Sequence, residues 1–181
     1  SIIDYYKFNK IPYKYNFKNT ISLLPGSRVA EVTNSIPIFK KIINSMPDNL
    51  FFVSCVNNIE KSIYDPFKYL KNVKLIFGRT YDMIKQSDVT VTVSGTASLE
   101  VALLNVPQMV VYKTSFLTYL IAKMVVKVKY ISLVNIILNK PLIKEFIQKD
   151  FNSNTVKKEI IRILSDNDYN KKIKKGYKEI S

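Results

Sequence analysis

Apolar runs alternate with amphipathic stretches along most of the chain. The runs predict strands at 21–24, 50–56, 73–77, 89–93 and 108–111, and the run VTVTV at 89–93 is typical of a strand buried on both faces of a parallel sheet. The stretches between them predict helices at 30–45, 59–70, 81–86 and 97–105. Short connections between such elements predict an α/β fold: a Rossmann-like, doubly wound parallel sheet with right-handed crossovers.

Prolines disturb two of these helices, at Pro37 and at Pro66. Pro37 predicts either a kink in the first helix or a true helix start near Ser35. We expect residues 1–20 to be a connecting segment, because they are polar, aromatic and rich in lysine, and residues 21–181 to form one domain.

The second half of the chain is predicted to be mostly helical. The apolar segment 115–126 reads as a helix that is too short to span a bilayer. It is either a core helix or a surface that contacts lipid or a partner. We then expect a loop at 134–135, a short helix at 141–148 and two amphipathic, lysine-rich C-terminal helices.

Two of the four glycines lie in strand-to-helix turns, Gly26 in Pro25-Gly26-Ser27-Arg28 and Gly95 in Ser94-Gly95-Thr96. Ser27 is expected to cap the first helix, and either Ser94 or Thr96 the second. Such turns place backbone N–H groups and the positive end of a helix dipole at the carboxyl edge of the sheet, where open α/β sheets bind ligands. An ordinary capped turn is the alternative interpretation of each.

The residues around these turns favour a diphosphate ligand. Only three basic residues are arginine, and Arg28 can place a bidentate fork on a phosphate. Glu31 is expected to close a capping box with Ser27 or Arg28, and Glu100, one turn into the second helix, can accept hydrogen bonds from sugar hydroxyls. The turns match neither the Walker A loop nor G-x-G-x-x-G, and the carboxylate clusters that hold Mg²⁺ are missing from the strand ends. We therefore expect no metal and no cofactor.

The chain carries a formal net charge of +14. Such a charge favours phosphate-bearing partners, although lysines scattered along helices are also typical of a solvated face. The single cysteine, Cys55, lies in an apolar run and is expected to be an inert core thiol. The first residues show no signal-peptide pattern, so we expect a cytoplasmic location.

Several linked motifs resemble the lipid-A-disaccharide synthase family. They are Leu23-Leu24-Pro25-Gly26-Ser27-Arg28-x-x-Glu31, Ser94-Gly95-Thr96-Ala97-Ser98-Leu99-Glu100, Pro107-x-Met109-Val110-Val111-Tyr112-Lys113, Ala122-Lys123, Tyr130-Ile131-Ser132-Leu133-Val134-Asn135 and Lys144-Glu145-Phe146-Ile147-Gln148. They follow the family's order and spacing from about residue 23 to 151. Val134 and Phe146 stand where the family usually has proline and leucine.

The resemblance implies the C-terminal, nucleotide-sugar-binding half of a two-domain GT-B glycosyltransferase. The implied reaction is an inverting transfer of 2,3-diacylglucosamine from UDP to 2,3-diacylglucosamine 1-phosphate (lipid X), which yields lipid A disaccharide 1-phosphate and UDP. The catalytic base is expected in the N-terminal half, which is then a partner of this chain. Peripheral contact with the inner face of the inner membrane also fits, and a homodimer is left open.

The implied site combines both turns. Gly26, Ser27, Arg28, Ser94, Gly95 and Thr96 would hold the diphosphate, and Glu100 the ribose. Asn135, Glu145 and Gln148 are weaker candidates for lining the cleft, with a solvated helix face as the alternative for the last two.

Two other readings compete with this one. Another UDP-sugar enzyme of the same fold, such as an epimerase or the peptidoglycan glucosaminyltransferase, would share the phosphate turns. A basic module for nucleic acid or anionic membrane would instead use the net charge, with aromatics among lysines as at Tyr13-Lys14-Tyr15. We expect no nucleic-acid partner.

Overall fold

The structure is a computed structural model that describes residues 17–93, 95–113 and 129–180. Within these residues six strands form one sheet, in the order β3-β2-β1-β4-β5-β6, and every neighbouring pair is parallel. The strands are β1 Thr20–Leu24, β2 Leu50–Cys55, β3 Val73–Phe77, β4 Val89–Val93, β5 Gln108–Tyr112 and β6 Glu145–Ile147. The predicted Rossmann-like parallel sheet is confirmed, and the chain order reverses between β1 and β4.

Helices connect the strands at or near the predicted positions. They are α1 Val29–Asn44, α2 Thr80–Lys85, α3 Thr96–Leu103, α4 Leu133–Leu138, α5 Ser153–Ser165 and α6 Asn167–Tyr177, with 3-10 turns at Lys61–Phe67 and Gln148–Asp150. The two predicted C-terminal helices are confirmed.

Pro37 lies inside α1, on its exposed side. The helix begins eight residues earlier, so the prediction of a start near Ser35 is wrong. An exposed proline is tolerated there because water can satisfy the backbone carbonyl that loses its intrahelical partner. The six buried residues of α1 keep their helical spacing past the proline.

The segment after the undescribed stretch departs from the prediction. Residues 134–135, expected in a loop, lie in α4, and part of the expected helix 141–148 is the edge strand β6. This strand pairs with β5, from Val110 opposite Glu145 to Tyr112 opposite Ile147. A free sheet edge thus decided the conformation of a short segment of mixed polarity whose periodicity does not distinguish helix from strand. The predicted helix 115–126 lies outside the described residues.

The core is formed on both faces of the sheet. One cluster joins α1, α5 and α6 to the sheet, with Phe39, Ile42 and Val156 fully buried, and a smaller one packs Phe52, Met83 and Ile84 on the other face. Cys55 is buried, and its burial raises the pKa of the thiol to about 12, which agrees with the predicted inert core thiol. In the described part of the chain, no helix is both long and apolar enough to cross a bilayer.

Candidate functional site

A cleft of about 670 Å³ opens at the carboxyl edge of the sheet, around the point where the strand order reverses. Its volume lies within the range of small-molecule sites. Four strand ends contribute to its walls: Leu24, Pro25, Gly26 and Ser27 after β1, Ser54 and Val56 at β2, Gly78, Arg79, Thr80, Tyr81 and Asp82 after β3, and Val93, Thr96, Ala97 and Glu100 at β4 and α3. The structure therefore brings residues of both glycine turns to one cleft.

The turn after β1 is closed by residues of its own sequence neighbourhood. Gly26 has a φ of 106°, which favours glycine. The Glu31 carboxylate accepts hydrogen bonds from the backbone N–H of Ser27 at 3.0 Å and of Arg28 at 3.3 Å. The capping interaction of Glu31 with Arg28 is confirmed, whereas Ser27 is not the cap, because Arg28 is the N-cap residue. The backbone N–H groups of Ser27 and Arg28, which we expected to bind phosphate, thus already donate to a carboxylate.

Arg28 points to solvent. Its side chain is 80% exposed, and its Nη1 lies 3.2 Å from Oε1 of Glu31. Arg28 does not belong to the described lining of the cleft, although Gly26 and Ser27 do. To bind a ligand in the cleft, the guanidinium would have to turn away from Glu31, and the solvent exposure of the Arg28 side chain weakens the ion pair that holds it there.

The turn after β4 differs from the first. Gly95 has a helical φ of −72° and is itself the N-cap residue, so the prediction of Thr96 as the cap is wrong; Ser94 lies outside the described residues. Thr96 is the first residue of α3, is exposed and lines the cleft. The first N–H groups of a helix have no intrahelical acceptor, so this end of α3 can receive an anion.

Glu100 lies where the sequence suggested, exposed and in the wall of the cleft. Tyr81, on α2, lines the same cleft. The negative charge of Glu100 raises the pKa of the Tyr81 phenol, and a hydrogen bond between the two side chains acts in the same direction. A hydroxyl group is therefore already within reach of the carboxylate that we expect to receive ribose hydroxyls.

Arg79 is a cleft residue that the sequence argument did not select. Its side chain is only 12% exposed, and its Nε lies 3.0 Å from Oδ2 of Asp82, which also lines the cleft. The signals were present, because Arg79 is one of three arginines and follows Gly78 at a strand end. The third rare arginine, Arg162, lies elsewhere, over the ring of Tyr169.

The three weaker candidates are not part of the described cleft lining. Asn135 is 1% exposed, and its amide group donates to the carbonyl of Ile143 and accepts from its N–H, at 2.9 and 3.0 Å. Glu145 accepts hydrogen bonds from the segment 131–135. Gln148 has a φ of 55° and begins a 3-10 turn.

No group of three or more metal-ligating side chains occurs among the described residues. The cleft offers instead a helix start and an arginine paired with a carboxylate. These are groups that bind anions and hydroxyls directly.

Comparison with known proteins agrees with the motifs. The family model described as lipid-A-disaccharide synthetase matches residues 7–181. The lipid-A-disaccharide synthase of Syntrophus aciditrophicus is 39% identical over 165 residues, which are 85% of this chain and 42% of that protein. Lipid-A-disaccharide synthase 1 of Legionella pneumophila (strain Paris) is 36% identical over 152 residues, 81% of this chain and 40% of that protein. The chain thus spans about two fifths of these curated relatives.

Solved structures of low sequence identity share the fold. A glycotransferase of kitacinnamycin superimposes with a TM-score of 0.63 at 13% identity, over 94% of this chain and 40% of that one. The UDP-GlcNAc 2-epimerase from Neisseria meningitidis, bound to UDP-GlcNAc, gives a TM-score of 0.59 at 15% identity, over 97% of this chain and 45% of that one.

Proposed function

Because the chain belongs to the lipid-A-disaccharide synthase family, we propose that it is the UDP-binding half of a lipid A glycosyltransferase. The reaction of the whole enzyme would transfer 2,3-diacylglucosamine from UDP to lipid X. The observation that supports this role most directly is the cleft at the strand-order reversal, which both glycine turns enter.

The diphosphate would lie against the start of α3, beside Gly95 and Thr96. Charge builds on the β-phosphate as UDP departs from the anomeric carbon, and preorganised N–H groups at a helix start stabilise such charge without a metal. Gly26 and Ser27 would form the facing wall. Arg28 would contribute only after exchanging Glu31 for a phosphate oxygen.

The nucleoside would extend from the diphosphate toward α2. Glu100 lies one turn beyond Thr96 and would accept the ribose hydroxyls in place of the Tyr81 phenol. The remaining wall is formed by residues 78–82, so the base would lie there, beside Arg79 and its partner Asp82.

We further propose that this chain binds UDP but does not turn over substrate alone. The sequence contains no histidine, and the base that deprotonates the acceptor hydroxyl would come from the rest of the enzyme. The location would be cytoplasmic and peripheral at the membrane. Exposed lysines on α6, such as Lys171, Lys172 and Lys175, could attract anionic lipid.

The experiment is a calorimetric titration of the 181-residue chain with UDP at low and moderate salt. We expect saturable 1:1 binding with an affinity that changes little between the two salt concentrations, because the contacts are formed in a preorganised cleft. Binding that weakens steeply with salt and extends equally to single-stranded RNA would favour the basic-module reading instead.

Two variants localise the binding. Glu100→Gln should lower the affinity for UDP about tenfold and the affinity for UMP by a similar factor, since both ligands carry the ribose. Lys61→Gln, outside the cleft lining, is the charge-changing control and should leave both affinities unchanged. Equal affinities for wild type and Glu100→Gln would exclude the ribose role of Glu100.

The choice among UDP-sugar enzymes needs the whole protein. We expect purified full-length enzyme to form lipid A disaccharide 1-phosphate from the UDP donor and lipid X, and to leave UDP-GlcNAc without epimerisation at C2. Epimerisation with no disaccharide product would support the alternative activity.

A further inference from the structure

The turn after β4 is confined by a segment that lies 36 residues further along the chain. A Cβ atom built on Gly95 would collide with the backbone carbonyl oxygen of Ile131. The Gly95 carbonyl in turn accepts a hydrogen bond from the N–H of Leu133 at 3.2 Å. The backbone that would face the diphosphate is therefore in direct contact with residues 131–133.

One side chain, Glu145 of β6, holds that segment. Its carboxylate accepts from the N–H of Ile131 at 2.9 Å, from the N–H of Ser132 at 3.0 Å and from the Ser132 hydroxyl at 2.7 Å. A fourth hydrogen bond, at 2.8 Å, comes from the side-chain amide of Asn135. Glu145 thus lies on a strand paired with β5 and accepts hydrogen bonds from four donors of residues 131–135, two of which are the N–H groups of the residues next to Gly95.

The number and type of these bonds make the interaction strong. Hydrogen bonds to an ionised acceptor are shorter and stronger than neutral ones. A glutamine at the same place accepts through one oxygen only, and its NH₂ group would face a backbone N–H. Removal of the charge should therefore release part of the segment 131–135 while β6 stays in the sheet.

We propose that Glu145 is a positioning residue for the diphosphate site, and that it acts through Ile131 and Ser132 on the turn at Gly95 and Thr96. This inference rests on the proposed UDP-binding function. Glu145 itself would not touch the nucleotide, and its effect would be to fix the first N–H groups of α3 where the leaving group needs them.

The test compares Glu145→Gln with a matched variant, Glu159→Gln. Glu159 is also a carboxylate with little exposure, at 6%, and accepts from the Tyr169 hydroxyl at 2.6 Å, but it lies on α5 and outside the cleft lining. Both variants should lower the melting temperature. Only Glu145→Gln should weaken UDP binding, by about tenfold, because a small displacement of the groups that position the ligand lowers the affinity.

A second readout does not require UDP. Amide hydrogen exchange at Gly95 and Thr96 should accelerate at least several-fold in Glu145→Gln and remain unchanged in Glu159→Gln. If Glu145→Gln does not fold, Ser132→Ala removes one of the four donors and should give a smaller change in the same direction, about threefold in UDP affinity.

The outcomes separate the two proposals. Failure of the wild-type chain to bind UDP would overturn the proposed function, while the exchange rates would still decide whether Glu145 positions the turn. If the wild type binds UDP, the positioning role would be overturned by a UDP affinity of Glu145→Gln within twofold of the wild-type value, together with an unchanged rate of hydrogen exchange at Gly95.

Discussion

The turns after β1 and β4 look alike in sequence, yet each needs its glycine for a different reason. Gly26 adopts a φ of 106°, a conformation that other residues avoid, and its neighbour in space is Glu31, five positions along the chain. Gly95 adopts an ordinary helical φ of −72° and must lack a side chain because Ile131 lies against it. One turn is specified by backbone conformation, the other by tertiary packing.

This difference shows how two glycine turns that are proposed to bind phosphate can be specified in different ways at one edge of the sheet. The first turn is closed mainly within the segment 26–31, with one further hydrogen bond of 3.5 Å from the Asn58 amide to the Ser27 carbonyl. The second obtains its geometry only when α4 and β6 are in place. Changes at the first turn should therefore remain local, whereas changes at the second should spread to residues 131–145.

The largest effect is expected for Gly95→Ala. Its new methyl group would meet backbone, which cannot rotate away, so we expect a loss of roughly 3 kcal/mol in the free energy of unfolding, at the upper end of overpacking costs. Urea unfolding followed by circular dichroism measures it. Gly176→Ala is the control, because its methyl group would meet the Leu142 side chain, which can move. An equal loss in both variants would contradict the packing argument.

A smaller effect is expected for Gly26→Ala, about 2 kcal/mol, because strain at positive φ adds to a contact with the Glu31 Cβ at 2.7 Å. Gly78→Ala separates these terms. Gly78 has a φ of 69° but only the Asn57 amide at 3.9 Å, so its substitution should cost about 1 kcal/mol from strain alone. The same unfolding measurement applies, and a larger loss at Gly78 than at Gly26 would reverse the expectation.

Glu31→Gln should cost about 1 kcal/mol in the free energy of unfolding, since it weakens the bonds from the N–H groups of Ser27 and Arg28. Hydrogen exchange should accelerate at those two amides and stay unchanged at Gly95. Glu60→Gln, at an exposed carboxylate, is the control and should alter neither. Acceleration at Gly95 in Glu31→Gln would show that the two turns are coupled.

The smallest effect concerns pH at the second turn. Glu100 raises the pKa of Tyr81, so folding favours the protonated phenol. Its contribution to stability is intact below the unfolded pKa of tyrosine, about 10, and is lost as the pH rises through the folded value. The difference between the spectrophotometric titration curves of the wild type and of Tyr81→Phe should report the ionisation of this phenol. In Glu100→Gln the same difference curve should lie at lower pH. An unshifted curve would mean that Glu100 does not act on Tyr81.

Local patterns were sufficient for the strands that enter the cleft. The run at 89–93 is β-branched on both faces, which favours a central parallel strand, and all five residues are buried. The same reasoning was wrong for residues 145–147, because three residues of mixed pattern become a strand only when the edge of β5 is available to pair with them.

The cleft residues divide in the same way. Gly26, Thr96 and Glu100 were selected because their spacing from a strand end places them at the carboxyl edge. Arg79 also follows a strand end but was not selected, and only the sheet topology shows that the end of β3, two strands from β1, contributes to the same cleft. Spacing did predict the capping role of Glu31, whose carboxylate accepts from the N–H groups of both Ser27 and Arg28.

By itself, then, the sequence determined the α/β class, the parallel strands, the two glycine turns and the family, because each depends on residues close together in the chain. Only the tertiary structure decided that Glu145 faces inward to residues 131–135 and that Gly95 is needed for their approach. Contacts between residues dozens of positions apart depend on which strands and helices become neighbours in the fold, and the local periodicity of the sequence does not determine this.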